Sequence, residues 1–195
     1  TLQGVEVRLE WPANAGQGRL RLTAKQVVAP DLGYRFERLT WECPLQRGNA
    51  GQGWLCDGEI RSAGHRPLKL ALDLATASTD AELSGGEARL SLHRNAAAPD
   101  LSRIDLVRVP VAWSQALLAQ AWPAANLKGG LLGGSLDIEA ADRRPLRVAG
   151  RLGVTQLALD TPDGTTAAEG VAGRFDLDFR KSPGLSLVTV DGQLQ

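Results

Sequence analysis

Alternation of apolar with polar or small residues along most of the chain is the feature that most restricts how it can fold. The clearest run is Leu68, Leu70, Leu72 and Leu74. A period of two places every second side chain on the same face of an extended strand, whereas a helix has a period of 3.6 residues. The pattern recurs near both ends of the chain, so we predict an all-β protein with mainly antiparallel strands.

A weak glycine repeat accompanies the alternation. Gly134, Gly150, Gly173 and Gly192 each precede a polar residue and an apolar one. Glycines inside strands mark bulges or close approaches of two backbones. Repeated strand units favour an elongated sheet in which each unit packs on its neighbours. We therefore expect an elongated, curved sheet, and both an open β-groove and a closed sandwich fit the pattern.

Two places depart from the regular alternation. Residues 111–122 read VAWSQALLAQAW between Pro110 and Pro123. Proline suits a first helical turn and also ends a helix, so one short helix is predicted here. Near the end of the chain the apolar positions change phase between Leu187 and Val190.

Length and charge limit the possible organisation and partners. A chain of 195 residues has the usual length of one domain, so we predict a single β-rich domain over 1–195. The 22 basic and 22 acidic residues are interspersed, whereas binding to a phosphate backbone needs a basic patch. No stretch approaches the roughly 18 apolar residues of a membrane helix. Neither a nucleic-acid partner nor a transmembrane segment is expected.

Cys43 and Cys56 are the only cysteines, and each lies two residues from a tryptophan, Trp41 or Trp54. The residues between them are rich in Gly, Asn and Gln, which predicts a turn between two strands. Antiparallel pairing of these strands would bring the two cysteines and the two tryptophans together. This favours a disulfide and an oxidising compartment, with two buried free thiols as the alternative.

Motifs for catalysis, cofactors and metals are absent from the sequence. It has no Gly-x-Ser-x-Gly elbow and no phosphate-binding glycine loop. The cysteine spacing and the two histidines do not fit a zinc site. Asp137 and Glu139, like Asp176 and Asp178, alternate with apolar residues, as expected on a solvated strand face. We predict a protein without enzymatic activity, cofactor or metal.

Three stretches of the C-terminal half share a glycine- and leucine-rich pattern: LKGGLLGGSLDI at 127–138, PLRVAGRL at 145–152 and AEGVAGRFDLDF at 168–179. Together with the preceding Val-Pro-Val lead-in and the predicted helix, they resemble the AsmA-like proteins of Gram-negative bacteria, including the YdbH- and TamB-type members. The resemblance covers residues 100–195, and the first half is similar in style only. Such proteins have a long β-groove whose apolar concave face is considered to guide lipid acyl chains, and they have no catalytic residues.

This resemblance implies a periplasmic segment that binds or conducts lipid between the inner and outer membranes, with a role in outer membrane biogenesis. The sequence would be a fragment of a longer envelope protein, attached to a membrane through parts of the chain outside this sequence. Lipid or other envelope proteins would be its partners. The groove-lining positions it implies are nine alternating apolar residues: Leu68, Leu70, Leu72, Leu136, Ile138, Val148, Leu152, Phe175 and Leu177.

A second resemblance, to the N component of type II secretion systems, implies a non-catalytic structural or assembly module of an envelope complex. The same apolar positions would then form a closed core, which is the usual place of an apolar strand face. The two interpretations differ in how well that face is covered. An open groove would expose an apolar area above the roughly 300–600 Å² of a typical monomer's largest patch.

Overall fold

The computed structural model describes residues 1–12, 16–29, 34–48, 52–114, 126–142, 144–161, 163–165, 167–182 and 185–194. Nearly all of the regular structure in these ranges is extended. The strands are β1 Leu2–Gln3, β2 Glu6–Glu10, β3 Gln17–Ala29, β4 Tyr34–Arg47, β5 Trp54–Arg61, β6 Leu68–Leu74, β7 Ser78–Gly85, β8 Ala88–Asn95, β9 Leu101–Pro110, β10 Asn126–Glu139, β11 Leu146–Asp160, β12 Ala167–Ser182 and β13 Leu185–Leu194.

The chain divides into two compact units, Thr1–Gly86 with β1–β7 and Glu87–Gln195 with β8–β13, called unit 1 and unit 2 below. Within each unit the strands form an antiparallel sheet whose order follows the chain, except that β1 and β2 both pair with β3. Among the described strands, no ladder joins β7 back to β1–β3 or β13 back to β8. The all-β, mainly antiparallel prediction is confirmed in its open-sheet form, and the prediction of one domain over 1–195 stays a prediction.

The segment that lacks the alternation begins with a short 3-10 turn, Val111–Ser114, which packs on β10. Val111 is buried, as are Val109 before it and Val154 on β11. The rest of the predicted helix over 111–122 lies outside the described residues.

The last strand is regular, although its apolar positions change phase. The ladder between β12 and β13 runs without a register shift from Ser182↔Leu185 to Gly173↔Leu194. Leu187 therefore lies opposite Arg180, on one face of the sheet, and Val190 lies opposite Leu177, on the other. An apolar residue at 187 occupies a charged face.

The cross-strand register gives unit 1 two chemically distinct faces, because residues directly opposite each other share a face. One row crosses β2, β3, β4, β5 and β6 with apolar residues only and defines the apolar face of unit 1: Val7, Leu22, Trp41, Ile60 and Leu68. The next row crosses the same strands on the charged face of unit 1: Arg8, Arg21, Glu42, Glu59 and Lys69.

The predicted disulfide joins Cys43 and Cys56 across the apolar face of unit 1, with their Cα atoms 5.5 Å apart. Both cysteines are buried, at 1% and 4% exposure, and they pack with Trp41 at 8%. Trp54 lies outside this cluster and packs edge-on against Trp11, with ring centroids 5.4 Å apart. The disulfide is thus the centre of the best-buried cluster of unit 1.

Unit 2 has the same two-faced construction. One row of its apolar face runs across β8–β13 through Leu92, Ile104, Leu136, Gly150, Leu177 and Val190. The adjacent row runs through Leu90, Leu106, Gly134, Leu152, Phe175 and Gly192. Each glycine lies directly opposite a bulky residue of a neighbouring strand.

Gly134 shows why the repeat contains glycine. Its φ is +132°, a conformation that L side chains rarely adopt, and a Cβ there would collide with the backbone oxygen of Arg151. The register between β9 and β10 also shifts between Leu132 and Gly134. The close approach and the bulge predicted from the glycine repeat are both present at this position.

Replacing both cysteines, as Cys43→Ala with Cys56→Ala, should lower the free energy of unfolding by about 3 kcal/mol, since the unfolded chain regains the entropy of an open loop. Urea titration of the variant against the oxidised protein measures this. The reduced wild-type protein is the control, because it lacks the bond but keeps the side chains. Equal stability of all three forms would contradict a structural role for the disulfide.

Gly134→Ala should be destabilising by roughly 1–3 kcal/mol, because the new Cβ meets a backbone oxygen at a strained φ. The neighbouring Gly133→Ala is the matched control. Its Cβ would lie 3.6 Å from the Leu106 oxygen, an ordinary contact, and its φ is not in the left-handed region. Thermal unfolding of the two variants side by side decides the point, and similar melting temperatures would refute the close-approach explanation.

Candidate functional site

The nine positions predicted to line a groove all lie on apolar faces. Leu68, Leu70 and Leu72 belong to unit 1, on β6, and the other six belong to β10, β11 and β12 of unit 2. All nine side chains are half-buried, and none is fully buried or fully exposed. Leu70 and Leu72 also pack against the cluster of Trp41 and the disulfide.

Few apolar side chains are buried in either unit. Within each unit the described strands make their close contacts with their sheet neighbours and with the 3-10 turn. A strand face gains full burial only when another layer packs over it. The buried apolar residues in the described part of the chain are correspondingly few: Ala24, Trp41, Cys43, Cys56, Ala88, Val109, Val111 and Val154.

Bulky side chains lie over the glycines of neighbouring strands and cover part of the bare backbone. A Cβ added at Gly192 would lie 2.5 Å from Cδ1 of Phe175, and one added at Gly85 would lie 2.6 Å from Cδ2 of Leu68. Large side chains beside strand glycines are a known way to stabilise them. This packing half-buries Phe175 and Leu68, and it leaves their outer surfaces open to a ligand.

Ion pairs cross the charged face of unit 2, the side of the sheet that carries Arg147, Arg151, Asp176, Asp178 and Arg180. Arg151 Nε lies 2.9 Å from Asp176 Oδ1, and Arg147 Nη2 lies 2.8 Å from Asp178 Oδ2. Arg180 Nε lies 3.1 Å from Asp178 Oδ1. Asp137 and Glu139 likewise face arginines on this side. The carboxylate pairs of the sequence are thus partners of arginine on a solvated strand face.

Asp178 has the most perturbed carboxyl group of this network. Hydrogen bonds donated by Arg147 first, and by Arg180 second, hold the pKa of Asp178 well below its usual range. The same contact raises the pKa of Arg147. Both groups are solvent-accessible, so their pairing organises the surface and contributes little to stability.

The charged face of unit 1 contains a depression of about 650 Å³ lined by Arg19, Arg21, Glu42, Glu59 and Arg61 among others. Arg19 Nε lies 3.5 Å from Glu42 Oε1, and both side chains are largely exposed. Five of the ten lining residues are charged, so this depression is less suited to hydrocarbon than the apolar faces are. The apolar faces of the two units are therefore the candidate binding surfaces.

Four residues that share the apolar face of unit 2 were absent from the predicted set: Leu90, Leu92, Ile104 and Leu106. The register places Leu90 opposite Leu106 and Leu92 opposite Ile104, and continues each row into β10. Their signal was present in the sequence, because each pair is spaced by two residues. Their inclusion widens the apolar face from three strands to five.

The described residues contain no group of three or more His, Cys, Asp or Glu placed to hold a metal ion. His65 stacks at a tilt near Phe36, with ring centroids 5.4 Å apart.

In the described part of the chain, no helix has the length and apolar character needed to cross a bilayer.

Comparisons with protein-family models, with curated proteins and with solved structures give no match. The candidate site therefore rests on the chemistry of its own residues.

The pKa of Asp178 should rise towards its ordinary value of about 3.9 when its main donor is removed by Arg147→Gln. The depressed pKa means that any contribution of this pair to stability is present above pH 4 and is lost as the pH falls through the folded pKa. A carbon-13 NMR titration of the side-chain carboxyls measures the change. Arg151→Gln is the control, since Arg151 pairs with Asp176, and an equal effect of both variants would contradict the assignment.

Proposed function

We propose that this chain is a segment of an AsmA-like envelope protein and that its apolar sheet faces bind lipid acyl chains. One observation carries the proposal: the alternating apolar residues form continuous cross-strand rows, yet their side chains are only half-buried. Leaving apolar area exposed costs about 25 cal/mol per Å². A hydrocarbon ligand would recover that free energy without requiring any specific polar contact.

The dimensions of the apolar face of unit 2 support an acyl chain as ligand. The row from Ile104 through Leu136 and Leu177 to Val190 crosses five strands. Strands lie about 4.8 Å apart, so the row is roughly 19 Å long. The hydrocarbon layer of one bilayer leaflet is about 15 Å thick. A single acyl chain would therefore fit along the row.

The disulfide supports a location outside the cytoplasm. Cys43 and Cys56 are bonded to each other and buried, and such bonds persist in oxidising compartments such as the periplasm. Transfer of lipid between the inner and outer membranes, with the chain attached to a membrane through other segments, belongs to the same proposal. The half-buried apolar rows favour the lipid interpretation over a self-closed assembly module, whose apolar face would be fully covered.

Native mass spectrometry of the protein purified from a periplasmic expression host, with lipid extraction in parallel, tests the proposal. We expect co-purified phospholipid, and we expect Leu136→Asp to reduce its occupancy at least several-fold, because a charge would lie in the middle of the apolar row. Leu136 is half-buried and lies outside the disulfide cluster, so the variant should keep its fold.

Val107→Asp is the matched control for this experiment. It makes the same chemical change on a strand of the same unit, but Val107 lies opposite Arg89 on the charged face and is 50% exposed. Lipid occupancy should be unchanged in this variant. A folded wild-type protein that carries no lipid and takes up none from added phospholipid vesicles would overturn the proposal and favour the assembly module.

A further inference from the structure

The apolar face of unit 1 ends in a row that contains a positive charge. Arg47 lies opposite Trp54, and Trp54 lies opposite Leu74, so these residues share one row across β4, β5 and β6. Each of these strands pairs on both sides with a described strand. From this row to the row of Trp41, the other described residues on the apolar face are apolar or glycine. Arg47 is therefore the one charged residue on this stretch of the face.

The guanidinium group of Arg47 is available to a ligand. Arg47 is exposed, and no described residue forms an ion pair with it. The nearby carboxylates of the same two strands lie on the charged face, where Glu42 pairs with Arg19. Glu59 pairs there with Arg61. The planar fork of N–H donors on arginine matches the oxygens of a phosphate group, so Arg47 suits a phosphate ligand.

Two tryptophan rings lie beside this charge. Trp11 follows β2 and Trp54 begins β5, yet their rings meet edge-on with centroids 5.4 Å apart. The Trp11 ring also covers Gly18 on β3, where an added Cβ would collide with it. The two tryptophans remain 37% and 39% exposed. Indole rings favour positions with one apolar and one wet side, such as the boundary between lipid hydrocarbon and headgroups.

The leucines of β6 provide apolar length that begins at this row. Leu74 is 41% exposed, and Leu72, Leu70 and Leu68 follow it on the same face as half-buried side chains. Six residues of extended strand span about 20 Å, compared with about 15 Å for the hydrocarbon of one bilayer leaflet. β4 and β6 are about 10 Å apart, a gap that the Arg47 side chain and a glycerol phosphate bridge together.

We propose that this row is the headgroup end of a phospholipid site on the apolar face of unit 1. Arg47 binds the phosphate, Trp11 and Trp54 border the glycerol esters, and an acyl chain lies along the leucines of Leu68–Leu74. This inference rests on the proposed function, to which it adds the chemistry of the headgroup. It distinguishes a phosphate-bearing lipid from a neutral diacylglycerol with the same acyl chains.

NMR titration of the whole chain with dihexanoylphosphatidylglycerol and, separately, with dihexanoylglycerol tests this site. The indole N–H signals of Trp11 and Trp54 and the Nε–H signal of Arg47 report on unit 1, and the methyl signals of Leu136 and Leu177 report on unit 2. Both lipids should shift the indole signals, and only the phospholipid should shift the Arg47 signal. The phospholipid should bind to unit 1 about tenfold tighter or more, as expected for hydrogen bonds between charged groups.

Arg47→Gln should lower the affinity of unit 1 for the phospholipid to that for the diacylglycerol, and it should leave the affinity for the diacylglycerol unchanged. Arg21→Gln is the matched control. Arg21 is also an exposed arginine of unit 1 without an ion-pair partner among the described residues, but it lies on the charged face. Its replacement should change neither affinity. The dispersion of the amide signals verifies that both variants are folded.

Three results would overturn the inference, and one of them separates it from the proposed function. Equal affinity of unit 1 for the two lipids, or an unchanged phospholipid affinity in Arg47→Gln, would exclude the headgroup site and leave acyl-chain binding intact. Inorganic phosphate that shifts the Arg47 signal at the same concentration as the phospholipid would exclude it too, because the apolar face would then contribute nothing. If neither lipid shifts a signal of either unit, the proposed function itself fails.

Discussion

The antiparallel hydrogen-bond ladder between chain neighbours is the interaction on which the rest of this structure depends. From β2 to β7 in unit 1, and from β8 to β13 in unit 2, each strand pairs with the next strand of the chain, so the backbone polar groups between neighbouring strands are satisfied without a second layer. The same ladder sets the register, and the register sorts the side chains into an apolar and a charged face. The apolar faces, which are the candidate binding surfaces, are therefore a consequence of where that ladder runs.

Side-chain packing within the sheet only partly replaces a second layer. The disulfide and Trp41 form one tight cluster in unit 1, and in both units bulky residues lie over the glycines of adjacent strands. Such contacts cover the backbone beneath a side chain, but they leave its outer surface exposed. This explains how Leu136, Phe175 and Leu177 can be ordered and half-buried at the same time. It also makes the apolar face chemically suited to a flexible hydrocarbon, which needs area rather than directed polar groups.

Most of the fold could be predicted because strand periodicity is a local property. The run from Leu68 to Leu74 is β6, and the Cys43–Cys56 pairing follows from two alternating strands around a polar turn. Leu187 is apolar but lies on the charged side, which explains why the apolar positions of β13 change phase although its ladder is regular. Leu90 and Ile104 were overlooked although their spacing carried the same signal.

The sequence by itself determined the strand class, the disulfide and the two-faced character of each strand, because each of these depends on residues two positions apart or on one short hairpin. Only the tertiary structure decided that the sheet is open and that its apolar residues are half-buried, because alternation is identical in the wall of a groove and in the wall of a sandwich. It also decided the cross-strand register that brings Leu92, Ile104 and Leu136 into one row, because register depends on the pairing between strands and no single stretch of sequence contains it.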